Sequence, residues 1–251
     1  MFKDKGIIFP PNLLGQNVES LMFTKEFLKE KNISLERKEE GFNFIKNYIN
    51  LPLIRAEQVH GTQIQEVFKR NSESIQGVDG AYTRSSNLAL SIMTADCMPI
   101  ILASNNGKEI AAVHAGWRGL CQGVLEESIK HFHSSLDKVT AWIAPCISGE
   151  MYEVGEEVVN RFIENDQESV SNIIKARNSK KWFINLRLEA KRRMENSGIR
   201  VLVNDYCTFK DKELFFSYRR NKSKARIAYK LSVNSFRGEE SLQLILESIK
   251  Q

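Results

Sequence analysis

The stretch LALSIMTADCMPIILASNNGKEIAAVHAGWRG, residues 88–119, decides how this chain is read. Three short segments in it, LALSIMTADC, PIILAS and EIAAVHAG, are apolar and β-branched, and Asp, Asn and Gly break them apart. That pattern predicts strands joined by short turns. The same texture runs back through LIRAEQVHG (53–61), TQIQEVF (62–68) and GVDGAYT (77–83). Residues 53 to 115 therefore predict the strands of one or two sheets.

Forward of GWRG the pattern turns helical, with Leu120, Val124, Leu125, Ile129 and Phe132 on one face. KVTAWIAP (138–145) reads as a strand, and VGEEVVNRFIEN (154–165) as an amphipathic helix through Val154, Val158, Val159, Phe162 and Ile163. Residues 184–196 give another helix. IRVLVNDYC (199–207), ELFFSYR (213–219) and ARIAYKLSV (225–233) return to strand, and SLQLILESIK (241–250) closes as a helix. Near the N-terminus, NVESLMFTKEFLKE (17–30) suits a helix capped by Asn17, with Val18, Leu21, Met22 and Leu28 on one face. The run KKW…RLEAKRR (180–193) reads as a solvent face. Strands gather in hairpin-like runs rather than alternating strictly with helices. The fold class is α+β, mixed β-sheets sandwiched with outer helices. No repeat or Gly/Ser/Pro linker divides the 251 residues, so one domain over 1–251 is expected.

With 42% hydrophobic and 27% charged residues, the composition is that of a soluble globular protein. No run approaches the roughly 18 apolar residues of a membrane span. The N-terminal MFKDKGIIFPPNLLG lacks a signal peptide's unbroken apolar stretch, so a cytoplasmic location is expected. The net charge of +5 suits anionic substrates, and without a basic motif it makes no case for nucleic acid. Cys97, Cys121, Cys146 and Cys207 stand far apart with no CxxC pair, which favours free thiols serving packing or chemistry. Nothing in the residues sets an oligomeric state.

Three apolar strands end in small-residue turns that each carry a soft metal-ligand type: His60 in QVHG, Cys97 in TADCMP and His114 in VHAGWRG. Two imidazoles and a thiolate form a good zinc set, and three protein ligands leave the fourth position that catalytic zinc requires. Taken singly, a strand histidine is more often a hydrogen-bonded core residue, and a buried cysteine a small hydrophobe. A Cys–His dyad fits the same residues, with Cys97 as nucleophile, His114 as base and Asp96 or Gln58 orienting it. Sequence spacing leaves both open.

QVHG, DGAYT, TADCMPIIL, AAVHAGWRGL, APCISGEMYEVGEEV and FFSYRR, in this order, resemble the YfiH-like family. Its members have been labelled multicopper polyphenol oxidases (laccases), and later zinc-dependent purine nucleoside phosphorylases with adenosine deaminase activity. The likeness covers about residues 53–229, and ADC followed by HAGWRG is its most specific block. It implies that His60, Cys97 and His114 bind the metal. It also implies an α/β sandwich related to cysteine-hydrolase-like toxin domains. The chain departs from the family pattern at Ala144-Pro145, Asn185-Leu186 and Lys224-Ala225-Arg226, where GP, DL and TGR are usual. None of these touches the triad.

The resemblance implies nucleoside and inorganic phosphate as substrates: adenosine, inosine, guanosine and, by extension, methylthioadenosine. Phosphorolysis passes through a ribosyl cation-like state, so the site must hold charges in line and assist the departing base. Zinc polarises one partner, and by lowering the pKa of water to about 7 it would also serve a deaminase side activity. Arg118, just before a predicted helix, and the cluster Arg219, Arg220 and Arg226 are the candidate phosphate ligands, with Gln58 a further substrate contact. Asp96 is a candidate partner of a ligand histidine or a turn cap. Trp117, Tyr152 and Glu153 are secondary candidates. Multicopper chemistry needs many histidines and this chain has four, so copper is expected at most as a single alternative occupant of the triad. A metal-free cysteine hydrolase and a metal-stabilised binding domain are the remaining readings.

Overall fold

The computed structural model describes residues 5–33, 38–69, 73–177, 180–225, 232–236 and 239–243, and the statements below concern those residues. From the N-terminus, β1 (Ile7–Ile8) pairs with β2 (Met22–Phe23), followed by α1 (Lys25–Glu30) and α2 (Lys38–Ile49). The strand-rich region supplies β3 (Leu53–Glu57), β4 (Ile64–Glu66), β5 (Ser74–Gln76), β6 (Gly80–Thr83), β7 (Ala89–Ser91), β8 (Met98–Ser104) and β9 (Ile110–Ala115). Next come α3 (Trp117–Gln122), α4 (Val124–Ile129), β10 (Val139–Ile143), β11 (Glu153–Val154) and α5 (Glu156–Asn165). The chain continues through β12 (Ile173–Lys175), β13 (Trp182–Ile184), α6 (Leu186–Asn196), β14 (Arg200–Val203) and α7 (Tyr218–Ala225). A hairpin of β15 (Ser232–Phe236) and β16 (Glu239–Gln243) lies beyond.

The fold is α+β, built on a six-stranded mixed sheet in the order β14-β10-β8-β9-β6-β4. The β5-β3-β7 and β11-β13-β12 sheets flank it. Met98, Ile100 and Leu102 of β8 and Val139, Ala141 and Ile143 of β10 join the larger core with α3 to α6. Their alternates Ala103 and Trp142 pack on the other face against Leu14, Ile8, Val18 and Met22. Because both faces are covered, these strands read as unbroken apolar runs instead of alternating ones. No helix among the described residues is long and apolar enough to cross a membrane.

Tertiary contacts override local pattern in several places. The expected helix over 17–30 starts only at Lys25: Asn17 sits at φ 56, and the cap is Thr24, whose side chain accepts from the Phe27 N–H. Val18 and Met22 instead pack against the buried cluster of Leu14, Ala103, Trp142 and Ala144. LALSIMTADC is strand only over Ala89–Ser91. The helix after GWRG is split into α3 and α4 at Gly123, whose φ of 94 is a left-handed geometry that suits glycine. Val154 lies in β11, and α5 starts at Glu156. ELFFSYR is not a strand. Leu214 and Phe215 turn back on the Asp211 carbonyl, and α7 starts at Tyr218. Residues 226–231 of ARIAYKLSV lie outside the described residues, while Ser232 and Val233 are in β15. Of the expected closing helix, Ser241–Gln243 is β16, and 244–250 lie outside the described residues.

The run 180–193 is not a solvent face. On α6, the fully buried Glu189 accepts from Ser169 Oγ at 2.8 Å, Asn172 Nδ2 at 2.8 Å, Arg192 Nη2 at 2.8 Å and Arg193 Nε at 2.7 Å. Arg193 Nη1 then donates to the Leu120 carbonyl at 2.9 Å, fixing α6 to α3, the helix that follows the His114 strand. Burial pulls the Glu189 pKa upward, but the donors from Arg192, Arg193, Ser169 and Asn172 outweigh it and hold the pKa at about 2. A depressed carboxyl pKa stabilises the fold above the unfolded value, and that contribution is lost as pH falls through the folded one. Urea unfolding should therefore lose roughly 3 kcal/mol to this group between pH 5 and pH 2. The acid-dependent loss should shrink in Glu189→Gln, and equal losses in both proteins would show that Glu189 carries none of it.

Candidate metal centre

The three predicted ligands converge. In the β8–β9 hairpin, Met98 pairs with Ala115 and Pro99 with His114, which sets Cys97, one residue before β8, beside the end of β9. His60 follows β3 on a tight loop at φ 61. One nitrogen from each histidine and the Cys97 sulfur all lie within 4.8 Å of one another. Cys97 Sγ is 3.9 Å from His60 Nε2, and the imidazoles meet edge to face with centroids 4.8 Å apart. Gly116 forms the floor. A Cβ there would stand 3.0 Å from His60 Cδ2 and 3.2 Å from Cys97 Sγ, so a side chain would crowd the space between the ligands.

Asp79 organises this triangle. Its Oδ1 is 2.8 Å from His114 Nδ1 and accepts the His60 N–H at 2.8 Å, and its Oδ2 accepts the N–H groups of Gly61 at 2.6 Å and Val59 at 3.3 Å. The strained backbone of His60 is thus held by one carboxylate. With Nδ1 engaged, His114 turns Nε2 to the ligand space, the carboxylate–histidine arrangement of zinc sites. Burial opposes ionisation of Asp79, but the His114 contact and the Gly61 and His60 N–H groups keep its pKa below the usual carboxylate range. Burial first, and the proximity of His114 second, lower the His60 pKa, which favours the neutral imidazole. Sequence reasoning missed Asp79, although its motif, GVDGAYT, was already singled out.

Burial, followed by the Asp96 charge, pushes the Cys97 thiol up to about 12. That is the reverse of an activated nucleophile, and a divalent cation among the three donors would favour the thiolate. The donor set is fit to hold zinc.

The remaining candidates divide. Asp96, at φ 88, touches neither histidine; it accepts Thr208 Oγ1 at 2.7 Å, Ser217 Oγ at 3.0 Å and the Arg219 N–H at 2.7 Å. Its place is a clasp between the Cys97 loop and the start of α7. Gln58 pins a loop, donating to the Met93 carbonyl at 2.7 Å and accepting the Met93 N–H at 2.8 Å. Arg118 lies in the first turn of α3, exposed, its guanidinium 4.5 Å from the Trp117 ring centroid. Arg219 lies 4.9 Å from the Tyr152 ring centroid and donates to the Glu153 carbonyl at 2.6 Å. Arg220 differs: its guanidinium donates to the carbonyls of Thr208, Phe209 and Phe215 at 2.6–2.7 Å. That grip ties down the 208–215 turn and takes Arg220 from the candidate phosphate ligands. Arg226 lies outside the described residues. His131 stacks near Tyr82, and the His133 N–H donates to Glu109. Among the described residues the triad is the one His/Cys/carboxylate group drawn close enough to hold a metal.

The profile of the family described as "Multi-copper polyphenol oxidoreductase laccase" matches residues 36–231, and the chain belongs to that family. A Haemophilus influenzae protein named purine nucleoside phosphorylase is 37% identical over 68% of this chain and 70% of its own length. The Escherichia coli purine nucleoside phosphorylase YfiH is 36% identical over 71% of this chain and 74% of its own. Among solved structures, a Neisseria meningitidis protein matches with a TM-score of 0.78 and 25% identity, covering 86% of this chain and 94% of that one.

Three outcomes test the centre. Cys97→Ala should lose most of the bound zinc, and Asp79→Asn should weaken zinc binding by about 10- to 100-fold in chelator competition. Full zinc retention by Cys97→Ala would mean other ligands. Since ligation needs thiolate and neutral imidazoles, protons compete with the metal, and occupancy under chelator should fall below about pH 6.

Proposed function

We propose that this chain is a zinc-dependent purine nucleoside phosphorylase with adenosine deaminase side activity, acting in the cytoplasm. The observation that carries this reading is the Asp79-organised triangle of His60, Cys97 and His114, with Arg118 in the turn that follows His114 and Arg219 on the Asp96 clasp. The names of the relatives supply the reaction class. Bound zinc would supply a Lewis acid that orients and polarises one reacting partner.

The chain's own residues do the rest. The Arg118 guanidinium makes no hydrogen bond or ion pair with a described residue, so all its donors are free for an anion. Arg219 spends one nitrogen on Glu153 and keeps its fork for phosphate. Approaching from separate elements, the two would neutralise a phosphate that a partly dry site otherwise disfavours. Adenosine deamination would be a separate attack at the same centre, water adding to C6 of adenine and ammonia leaving, with the glycosidic bond intact. The metal-free hydrolase reading needs a Cys97 thiolate, against which burial acts. Copper, which outcompetes zinc for nitrogen and sulfur donors, is the alternative occupant.

Arg118→Ala or Arg219→Ala should remove a charge-assisted contact of roughly 2–4 kcal/mol and slow phosphorolysis by about 30- to 1000-fold. Deamination of adenosine in the same preparation should fall much less, and lysine should restore only part of the loss. Both single variants leaving the ratio of the two activities unchanged would remove these arginines as the phosphate site. A zinc-loaded protein that turns over no nucleoside would sink the reading itself.

A further inference from the structure

Tyr152 lies under Arg219, the arginine tied to the Cys97 loop, with an unspent hydroxyl. Its backbone is fixed on both sides: its N–H donates to the Gly149 carbonyl at 3.2 Å, and its carbonyl accepts the Ile184 N–H at 3.3 Å. The ring packs against the main core, and the Arg219 guanidinium covers it at 4.9 Å. Arg219 is itself moored through its N–H to Asp96, the residue before Cys97. Ring, guanidinium and metal loop thus form one continuous wall.

A phenol on such a wall normally finds a partner for its hydroxyl. Tyr82, the fully buried tyrosine of β6, does so by donating to Glu109 Oε1 at 2.8 Å. The Tyr152 hydroxyl makes no hydrogen bond with any described residue. Burial first, and the proximity of Cys97 second, raise its pKa, with Arg219 and Arg118 acting in the opposite sense. It is a hydrogen-bond donor, not a base, across neutral pH. The ring lies under Arg219, whose N–H is tied to the residue before Cys97, so the phenol sits on the arginine side of the centre.

We propose that Tyr152 is a third ligand of the incoming phosphate, its hydroxyl donating to a phosphate oxygen held between Arg118 and Arg219 while its ring keeps the Arg219 fork in place. This rests on the phosphorolysis reading above. Two cations alone fix an anion's charge but leave its rotation loose. A neutral donor of fixed direction selects one orientation, which an in-line attack requires. Arginine stacked on an aromatic face loses less freedom when it binds, so the phenol serves the site through both its ring and its oxygen.

Tyr152→Phe keeps the ring and deletes the donor. In zinc-loaded protein the KM for phosphate should rise by about 10- to 100-fold, the worth of a hydrogen bond to a charged group, while the KM for inosine moves less than twofold. A merely structural tyrosine would move both constants together, or neither. Tyr152→Leu, which removes the ring as well, should weaken phosphate further by freeing Arg219. A second readout needs no turnover: calorimetric titration of the zinc-loaded protein with inorganic phosphate should show the same loss of affinity in Tyr152→Phe. Wild-type phosphate KM and affinity in Tyr152→Phe would overturn the assignment. If wild-type protein turns over no nucleoside, the phosphorylase reading fails, and the titration still decides whether Tyr152 binds phosphate.

Discussion

The structure around the metal centre depends on one buried carboxylate. Asp79, fully buried at the start of β6, accepts from three consecutive backbone N–H groups and from one imidazole. Without it, the 59–61 loop would carry unpaired N–H groups, and His60 would have no reason to stay at a positive φ. His114 would likewise lose the contact that fixes which nitrogen faces the ligand space. The carboxylate is positioned by ordinary sheet pairing, since Gly80 stands opposite Val113 and the His114 N–H donates to the Asp79 carbonyl at 2.7 Å. A precise site therefore rests on rigid strands, and the 59–61 loop is tied to them through Asp79.

Much of this was legible in the sequence, for a definite reason. The strands of the central sheet are covered on both faces, so PIILAS, EIAAVHAG and KVTAWIAP carry nearly continuous apolar runs that turn residues punctuate. Cys97 and His114 sit at the ends of two of those runs and His60 just beyond LIRAE of the β5-β3-β7 sheet, where a break in hydrophobicity exposes each to notice. Asp79 was harder to read because a lone Asp between Val78 and Gly80 looks like turn chemistry. Only the sheet register shows that it faces an imidazole.

The errors share a cause. ELFFSYR has the composition of a strand, yet the Asp96 carboxylate takes Ser217 and the Arg219 N–H and starts a helix there. Residues 17–23 have helical spacing, yet Trp142 recruits Val18 and Met22. Arg192 and Arg193 look like surface charge and are consumed by Glu189. In each case a partner distant in sequence outbids the local preference, and periodicity cannot report a partner it does not contain.

The Asp96 clasp joins residues separated by 112 to 123 positions, whereas the metal triad is complete by His114. Loop closure over such a span is slow compared with hairpin formation. During synthesis, the triangle can close once His114 has emerged, but the Asp96 clasp must wait for Ser217 and Arg219. A growing chain would thus close its His60–Cys97–His114 triangle before the Asp96 clasp, and a product truncated ahead of Ser217 would keep the triangle and lack most of the clasp. The triangle and the clasp that steadies its Cys97 loop are separated in time by the order of the sequence itself.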